Sequence, residues 1–515
     1  MRKPVRLIML TTLQRSVDRI AKKLGGDYAN SPADYSERKI IRDTVWGFYD
    51  LSPCFLILLD SPYLQRLRHI HQTALALHTY PSATHSRFEH SVGAWHVSGL
   101  MLDAINRRTV GRRRISKRDS FAVRAAALLH DSGHGPFSHV SEDYYGQNPL
   151  FDEIRKEDKE TFLDASPSEI LSWCLLHSPS FKKIWRAAVK SAEREGVIDP
   201  GDNVSIDDVG RMILGTSYRL SPKLKPLKNI VNGPFDADKL DYMIRDGHFT
   251  GLKVPVDADR LLWGIRLAKS GGEKILAVDA SSLSPLEQII FSKAQLYTQI
   301  YHHHKVRAAA RLICRLLEEI GTISSPLGDL PLNDPASFLA LDDFDLINST
   351  RKATSALDLI KRIKLRRLPK RCLVITKDCI TDDESGSNWS NFKKDIREDG
   401  SRWLTEVKAH EKKVADYAKT DSSNIMIDVP AAPGLEGPGH AQIYFPGDVI
   451  RPLSEVFPAE GWANSYEAYR STGYVFALSD RCDLTTARDA AKKWLNEDIG
   501  VKVNAYSWLI PKIMG

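Results

Sequence analysis

The segment LLHDSGHGPFSH at residues 128–139 concentrates more ionisable side chains than a protein core tolerates. It places three histidines and one aspartate within ten positions, with two glycines and a proline among them. An apolar run, AVRAAALL at 122–129, leads directly into the pair His130 and Asp131. Burying an unpaired polar group costs roughly 2–7 kcal/mol. The cluster therefore predicts a metal site at the end of a buried helix.

Two other segments offer groups that could converge on this pair. His90 lies in THSRFEHSVG, and Asp238 lies in the aspartate-rich FDADKLDYMIRD. Imidazole and carboxylate ligands together suit manganese, iron, zinc, cobalt or nickel. Two histidines and two aspartates leave coordination positions open for water and substrate, as catalytic sites do. A metal there can polarise a phosphoryl oxygen and lower the pKa of its water from about 15.7 toward 7, which is the chemistry of phosphate-ester hydrolysis.

The elements that must position these groups are mostly helices. Apolar residues recur at helical spacing over residues 40–325, and Ser166, Pro167 and Glu169 together predict a capped helix start. Short β-branched or aromatic runs follow after residue 370, at 372–378, 424–430, 441–447 and 473–479. We expect a mainly α protein with a smaller C-terminal α+β unit, and exposed loops at 381–390 and 430–440.

Composition narrows the class of protein. The chain has 515 residues, 42% of them hydrophobic and 27% charged, which is ordinary for a soluble globular protein. No apolar run approaches the roughly 18–20 residues that a membrane span needs, and VRLIMLTTL at 5–13 does not have the pattern of a signal peptide. The six scattered cysteines favour a reducing compartment. We expect a cytoplasmic protein without a membrane partner.

Charge leaves two interpretations open. The net charge of +7 suits an anionic substrate without identifying a nucleic-acid binder. Basic residues cluster at 107–118 and at 361–371. Each cluster could be a solvated surface, or a docking patch for the phosphates of a regulatory nucleotide or of a single-stranded nucleic acid.

The motifs as a set resemble those of the HD-domain deoxynucleoside triphosphate triphosphohydrolases, the family of the bacterial dGTPases and the vertebrate SAM-and-HD-domain dNTP hydrolase. The resemblance covers roughly residues 40–310 and rests on motif order and spacing. The motifs that carry it are YLQRLRHIHQ (63–72), YPSATHSRFEHSVGAWHV (80–97), LLHDSGHGPFSH (128–139), FDADKLDYMIRD (235–246) and YHHHKVRAA (301–309). It implies a helical HD phosphohydrolase domain at 40–325, between an N-terminal extension at 1–39 and a C-terminal α+β region at 326–515.

The resemblance also implies roles for individual residues. The metal ligands would be His90, His130, Asp131 and Asp238, and His134 would be a catalytic histidine beside the reacting phosphate. The substrate contacts it implies are Arg87 and Lys239 for phosphate, Tyr242 and Asp246 for the sugar and phosphate pocket, Gln72 for the 3′-hydroxyl, Lys293 for the phosphate tail and Tyr301 against the ribose 2′ position. Without the motif, Gln72, Tyr242 and Tyr301 would be read as packing residues, and His139 as a core residue.

One departure concerns the second catalytic histidine. The family usually carries it in an HExxS-like segment downstream of the His-Asp pair. The corresponding region here, FLDASPSEILSW at 162–173, holds no histidine. We place Asp164 at that position, where three alternatives stay open: Asp164 acts as the general base, His134 works without it, or the activity is weakened or altered. General acid–base assistance is worth about 10²–10⁴-fold in rate.

These expectations give one leading function and two alternatives. The leading function is metal-dependent hydrolysis of deoxynucleoside triphosphates to deoxynucleoside and inorganic triphosphate, with magnesium accompanying the substrate. One alternative is an HD phosphohydrolase or nuclease acting on another nucleotide or on single-stranded nucleic acid. The other is a nucleotide-binding regulator that has lost turnover. The resemblance implies a homo-oligomer, a dimer, tetramer or hexamer, often with a regulatory nucleotide between subunits.

Overall fold

The fold is mainly α-helical, as predicted. A computed structural model describes residues 8–109, 114–321, 332–348, 354–398, 403–431, 434–435, 437–458, 461–463, 465–466 and 472–513. The helices are α1 Ile8–Asn30, α2 Pro53–Leu59, α3 Pro62–Gln65, α4 Arg87–Arg107, α5 Lys117–Leu129, α6 His139–Tyr145, α7 Pro149–Glu157, α8 Lys159–Phe162, α9 Pro167–His177, α10 Pro179–Arg194, α11 Ile206–Ile213, α12 Ala237–Thr250, α13 Ala258–Gly264, α14 Leu283–Leu296, α15 His304–Ile320, α16 Asp343–Asn348, α17 Thr354–Lys364, α18 Asp383–Glu398, α19 Trp403–Ala418, α20 Leu453–Val456, α21 Leu484–Trp494 and α22 Tyr506–Ile513.

Three small sheets accompany the helices in the described residues. Their strands are β1 Lys39–Asp43, β2 Gly47–Leu51, β3 Ile265–Ser270, β4 Glu273–Asp279, β5 Lys370–Ile375, β6 Ile425–Asp428, β7 Gln442–Phe445, β8 Val449–Pro452 and β9 Gly473–Ala477. The sheet orders are β1-β2, β3-β4-β7-β8 and β5-β9-β6. The pairs β3-β4, β5-β9, β6-β9 and β7-β8 are antiparallel, whereas β4 and β7 run parallel.

Most predicted elements are confirmed. Ser166 and Glu169 form a reciprocal capping box at the start of α9, with Pro167 at the first helical position. The four predicted C-terminal strands correspond to β5, β6, β7 and β9. Two hairpins, β1-β2 and β3-β4, interrupt the region that was expected to be helical.

The predicted loop at 381–390 is wrong, because α18 covers most of it. Asp382 accepts a hydrogen bond from the backbone N–H of Ser385, which starts the helix. Trp389, Phe392 and Ile396 then bury one face of α18 in the C-terminal hydrophobic cluster. Tertiary burial outweighs the weak helix propensity of its serines and glycine. Part of the other predicted loop, 430–440, lies outside the described residues.

Two hydrophobic clusters hold the described residues together. The larger one contains α4, α5, α9 and α12, and α1 adds Leu13, Val17 and Ile20 to it. The smaller one contains the inner face of the β5-β9-β6 sheet with α18, α19 and α21. The three predicted domains and the two boundaries between them stay predictions. All six cysteines are buried and unpaired, and no described helix has the length and apolar character of a membrane span.

Candidate metal centre and substrate cavity

The first turn of α4 positions the earliest functional groups. Ser86 caps the helix through the backbone N–H of Glu89, and Glu89 accepts the N–H of Ser86 in return. This box fixes the start of the helix, so that Arg87 and His90 point into the interior, where both are buried.

A short 3-10 turn, His130–Gly133, follows α5 and presents the His-Asp pair. Ser172 on α9 holds this turn by donating to the carbonyl of His130 and accepting from the N–H of Gly133, at 2.9 and 2.8 Å. A side chain on Gly133 would place its Cβ 2.1 Å from the carbonyl oxygen of Ser168. The glycine is therefore what lets α9 approach the turn.

The buried Arg66, which the sequence analysis did not single out, holds the residues after that turn. Its guanidinium donates to the carbonyls of His134 and Ser132, at 2.7 and 3.2 Å, and to that of Leu341. The backbone that carries His134 is therefore fixed from a separate element, α3 and its extension.

The third contribution comes from α12, which Asp236 caps by accepting the N–H of Lys239. Asp238, Tyr242 and Asp246 follow at intervals of four residues, which places them on one face of the helix. Asp246 and the cap Asp236 are buried, whereas the side chain of Asp238 is 34% exposed and faces the opening of the site.

The four predicted ligands meet in one cluster, which we call the HD cluster: His90, His130, Asp131 and Asp238. Nε2 of His90 lies 3.0 Å from Oδ1 of Asp238 and 3.3 Å from Nε2 of His130. Oδ1 of Asp131 lies 3.3 Å from Nε2 of His130 and 3.2 Å from Nε2 of His134.

Groups behind the cluster orient its histidines. The Nδ1–H of His90 donates to Oδ2 of Asp241 at 2.8 Å, and the Nδ1–H of His130 donates to the carbonyl of Ala127 at 2.8 Å. With both δ nitrogens occupied, both ε nitrogens face the cluster, as metal-ligating histidines require. Asp241 lies in the aspartate-rich motif, but the sequence analysis assigned it no role.

Electrostatics keep the carboxylates of the cluster ionised. Burial alone would raise the pKa of Asp131, but the charges of Arg87, His130 and His134 outweigh it and hold that pKa well below its ordinary value. Burial likewise opposes ionisation of Asp238, and hydrogen bonds from His130 and His90 lower its pKa. Ionised carboxylates and correctly oriented imidazoles are the forms that bind a metal, so the residues present fit a divalent metal ion.

His134 differs from the four ligands. Burial, reinforced by the charge of Arg87, lowers the pKa of His134 to about 4. Its ring stands edge-on to that of His139, with centroids 4.8 Å apart. Arg87 donates to Oδ2 of Asp131 at 2.5 Å and to Oγ of Ser138 at 2.7 Å, so it borders the cluster, and its predicted contact with phosphate stays a prediction.

A cavity of 480 Å³ opens beside the HD cluster. Of the predicted substrate contacts, five line it together with Arg87: Gln72, Lys239, Tyr242, Asp246 and Tyr301. The hydroxyl of Tyr301 donates to Asp246, whose other oxygen lies 2.8 Å from Nε2 of the buried His85. Lys239 pairs with Asp236 at 2.5 Å.

Two predicted residues are not brought to this cavity. Lys293 does not line it; its ammonium donates to the carbonyl of Gly434 at 2.7 Å. Asp164 is exposed and lies outside the cavity wall. In the sequence, Ser168, Glu169 and Ser172 match the HExxS-like pattern at its glutamate and its last serine, which favours Ser168 over Asp164 at the position of the family's histidine. Ser168 lines the cavity.

The sequence analysis missed a second group of ionisable residues at the cavity, His139 and Glu142. His139 is not a core residue, since its side chain is 74% exposed and lines the cavity. Its Nδ1–H donates to Oε2 of Glu142 at 2.8 Å, and the other oxygen of Glu142 accepts the N–H of Ser168 at 2.9 Å. The i, i+3 spacing of a histidine and a carboxylate on α6 was the available sequence signal.

Several described residues of the two basic clusters pair with acidic side chains. In 107–118, of which residues 110–113 lie outside the described part of the chain, Arg108 pairs with Asp279 and Lys117 with Asp199. In 361–371, Arg362 pairs with Asp358 and Asp480. These contacts are what a solvated surface shows, and the cavity lining includes no described residue of either cluster.

Comparisons with known proteins match two parts of the chain, on either side of α12. A model of the HD domain matches residues 87–205, and a model of an HD associated region matches residues 256–459. An uncharacterized protein of Methanocaldococcus jannaschii is 28% identical over 338 residues, which are 65% of this chain and 59% of that protein.

Two further relatives are named deoxynucleoside triphosphate triphosphohydrolase SAMHD1. The protein of Xenopus laevis is 29% identical over 286 residues, 53% of this chain and 44% of its own length. The protein of Homo sapiens is 28% identical over 271 residues, 52% of this chain and 42% of its own length. The chain thus spans about half the length of the curated relatives it matches. The HD-domain match begins at Arg87 and includes three of the four clustered ligands, so the chain contains an HD domain and is similar to the deoxynucleoside triphosphate triphosphohydrolases of this family.

Proposed function

We propose that this chain hydrolyses deoxynucleoside triphosphates to the deoxynucleoside and inorganic triphosphate. The observation that carries the proposal is that the HD cluster opens onto the same cavity as Lys239, Tyr242, Asp246 and Tyr301. A cluster of metal ligands alone would support only phosphohydrolysis. The names of the SAMHD1 relatives support the finer assignment.

The HD cluster would hold a divalent transition metal ion: manganese, iron, zinc, cobalt or nickel. When bound, the metal supplies Lewis-acid polarisation of a phosphoryl oxygen and a more acidic water. Arg87 and Lys239 hold phosphate oxygens as cations, Arg87 with a planar fork and Lys239 with a point charge. Their pairing with Asp131 and Asp236 fixes both side chains before substrate arrives.

The remaining cavity residues handle water, protons and sugar. His134, 3.2 Å from Asp131, orients the attacking water toward the α-phosphorus. The water oxygen bonds to the α-phosphorus and releases one proton to solvent, and the bond from phosphorus to the 5′-oxygen breaks. The 5′-oxygen takes a proton from His139, which Glu142 orients and which regains a proton from solvent. Tyr301, fixed by Asp246, crowds the 2′ position and favours deoxyribose.

A second candidate is favoured by Ser168, which stands in place of the family's second catalytic histidine. A serine at this position would suit a nucleotide-binding regulator without turnover. We further propose that the chain assembles as a homo-oligomer with a regulatory nucleotide, as the resemblance implies.

Product analysis separates these functions. The purified protein is incubated with each of the four deoxynucleoside triphosphates, singly and mixed, with manganese or magnesium, and the products are identified by ion-pair chromatography with mass detection. Deoxynucleoside and triphosphate support the proposal. Monophosphate and pyrophosphate contradict it, and thermal stabilisation by nucleotide without product favours the regulator.

A further inference from the structure

One wall of the cavity is built on a wide helical turn. The π-helical segment Tyr297–Tyr301 follows α14, and the N–H of His302 donates to the carbonyl of Tyr297 at 2.7 Å. The helix is then interrupted at His302 and His303, before α15 begins at His304. Tyr301 and His302, and Arg307 on the first turns of α15, line the cavity. Helical continuity alone therefore does not fix the position of Tyr301.

The C-terminal sheet contacts this wall through one cross-strand pair. Asp428 on β6 stands directly opposite Tyr474 on β9. Both are nearly or fully buried. Asp428 accepts two hydrogen bonds from Arg307, at 2.8 Å from Nε and 2.7 Å from Nη2. The hydroxyl of Tyr474 donates to the carbonyl of His302 at 2.9 Å.

Two other arginines of α15 also pair with the C-terminal unit, but away from the cavity. Arg311 and Arg315 follow Arg307 at four-residue intervals on α15, and both pair with the buried Glu411, at 2.9 and 2.6 Å. Arg307 lines the cavity, whereas Arg311 and Arg315 are not among its lining residues. The Glu411 contacts therefore join the C-terminal unit to α15 away from the cavity. The Asp428–Tyr474 pair instead contacts residues that line the cavity, Arg307 and His302.

We infer that Asp428 and Tyr474 are positioning residues that set the sugar selectivity of the cavity. The inference rests on the proposed function. Tyr301 is held at its hydroxyl by Asp246 and, through the adjacent His302 carbonyl, by Tyr474. If the hydrogen bond from Tyr474 to the His302 carbonyl is lost, the segment at 301–302 can move away from the 2′ position of the sugar, so that a ribonucleotide fits. A displacement of about 1 Å in such a wall can change rates by as much as about 100-fold.

The test compares conservative variants on matched substrates. Tyr474→Phe removes one hydroxyl, and Asp428→Asn removes the negative charge that pairs with Arg307. Tyr417→Phe is the control for the first, because the Tyr417 hydroxyl bonds only within the C-terminal unit, to Glu497 and Asp498. Glu411→Gln is the control for the second. For each protein, kcat, KM and the dissociation constant are measured with the four deoxynucleoside triphosphates and their ribonucleoside counterparts.

We expect Tyr474→Phe and Asp428→Asn to lower the deoxy-over-ribo ratio of kcat/KM by about tenfold, through a lower KM for the ribonucleotide and with kcat for the deoxy substrate nearly kept. The two controls should keep the wild-type ratio even if their melting temperatures fall. Wild-type selectivity in both test variants, or an equal loss in the controls, would overturn the inference. A wild-type protein that neither binds nor hydrolyses these nucleotides would instead overturn the proposed function and this inference together.

Discussion

The Nδ1 atom of His90 lies 2.8 Å from Oδ2 of Asp241, on the opposite side of the imidazole ring from the HD cluster. Asp241 is itself held by Trp46 at 2.7 Å and by Arg245 at 2.9 Å. A carboxylate behind a metal-ligating histidine fixes its tautomer and raises its basicity. Asp241 thus connects Trp46 and Arg245 of the surrounding fold to His90 of the HD cluster.

Removing this carboxylate should weaken metal binding without removing a ligand. We expect Asp241→Asn to reduce metal affinity about 10–100-fold, measured by competition with a chromophoric chelator. Asp43→Asn is the matched control, because Asp43 pairs with the same Arg245 at 2.9 Å but does not contact His90. Equal metal affinity in the two variants would show that Asp241 acts only by neutralising Arg245.

His139 is expected to act in proton transfer. Its ring lines the cavity and Glu142 orients it, so His139→Asn should lower kcat about 10²–10⁴-fold with little change in metal content. His177→Asn is the control, because His177 also bonds a carboxylate, Asp207, but lies outside the cavity. If His139→Asn retains wild-type kcat, the proton to the 5′-oxygen comes from another group.

Gly133 should tolerate no side chain. A Cβ at this position would lie 2.1 Å from the carbonyl oxygen of Ser168 and 2.4 Å from the N–H nitrogen of Ser172. We expect Gly133→Ala to cost about 1–3 kcal/mol of unfolding free energy and to lower metal content, because α9 must move off the His130 turn. Gly386→Ala, in the exposed part of α18 with no atom near its Cβ position, should be neutral or stabilising. Equal unfolding midpoints in urea would contradict this packing account.

Glu169 should make stability pH-dependent. Burial raises its pKa from 4.5 to about 7. Between these values the folded protein keeps a proton that the unfolded chain has lost, so the free energy of unfolding falls as pH rises from about 4.5 through 7. Relative to Glu169→Gln, the wild type should lose up to about 3 kcal/mol over this window. Urea unfolding of both proteins at pH 5 and pH 8 measures the difference, and parallel pH profiles would contradict it.

The HD cluster was predictable because its ligands sit in short, adjacent motifs. His130 and Asp131 are neighbours in the chain, and His90 and Asp238 each lie in a segment of recognisable composition. The geometry of the cluster agrees with that expectation, with nitrogen–oxygen and nitrogen–nitrogen separations of 3.0–3.6 Å. Its metal-binding role stays a prediction.

Other features depended on contacts between distant segments. Asp164 was chosen by its position along the chain, and only the folded structure shows that Ser168 lines the cavity and that Asp164 does not. The β1-β2 hairpin was missed because most of its apolar residues come in adjacent pairs, of which Ile40 and Phe48 are exposed, so its sequence lacks an alternation of apolar and polar residues. No local pattern could link Asp428 or Tyr474 to a helix more than a hundred residues earlier.

The most direct test of the account is hydrolysis in water enriched in ¹⁸O, with both products weighed by mass spectrometry. The account predicts that the wild-type protein releases an unlabelled deoxynucleoside and an inorganic triphosphate carrying one ¹⁸O atom. His130→Asn should release neither product and should lose its metal. Deoxynucleoside monophosphate as the product, label in the deoxynucleoside, or full activity of His130→Asn would contradict the account.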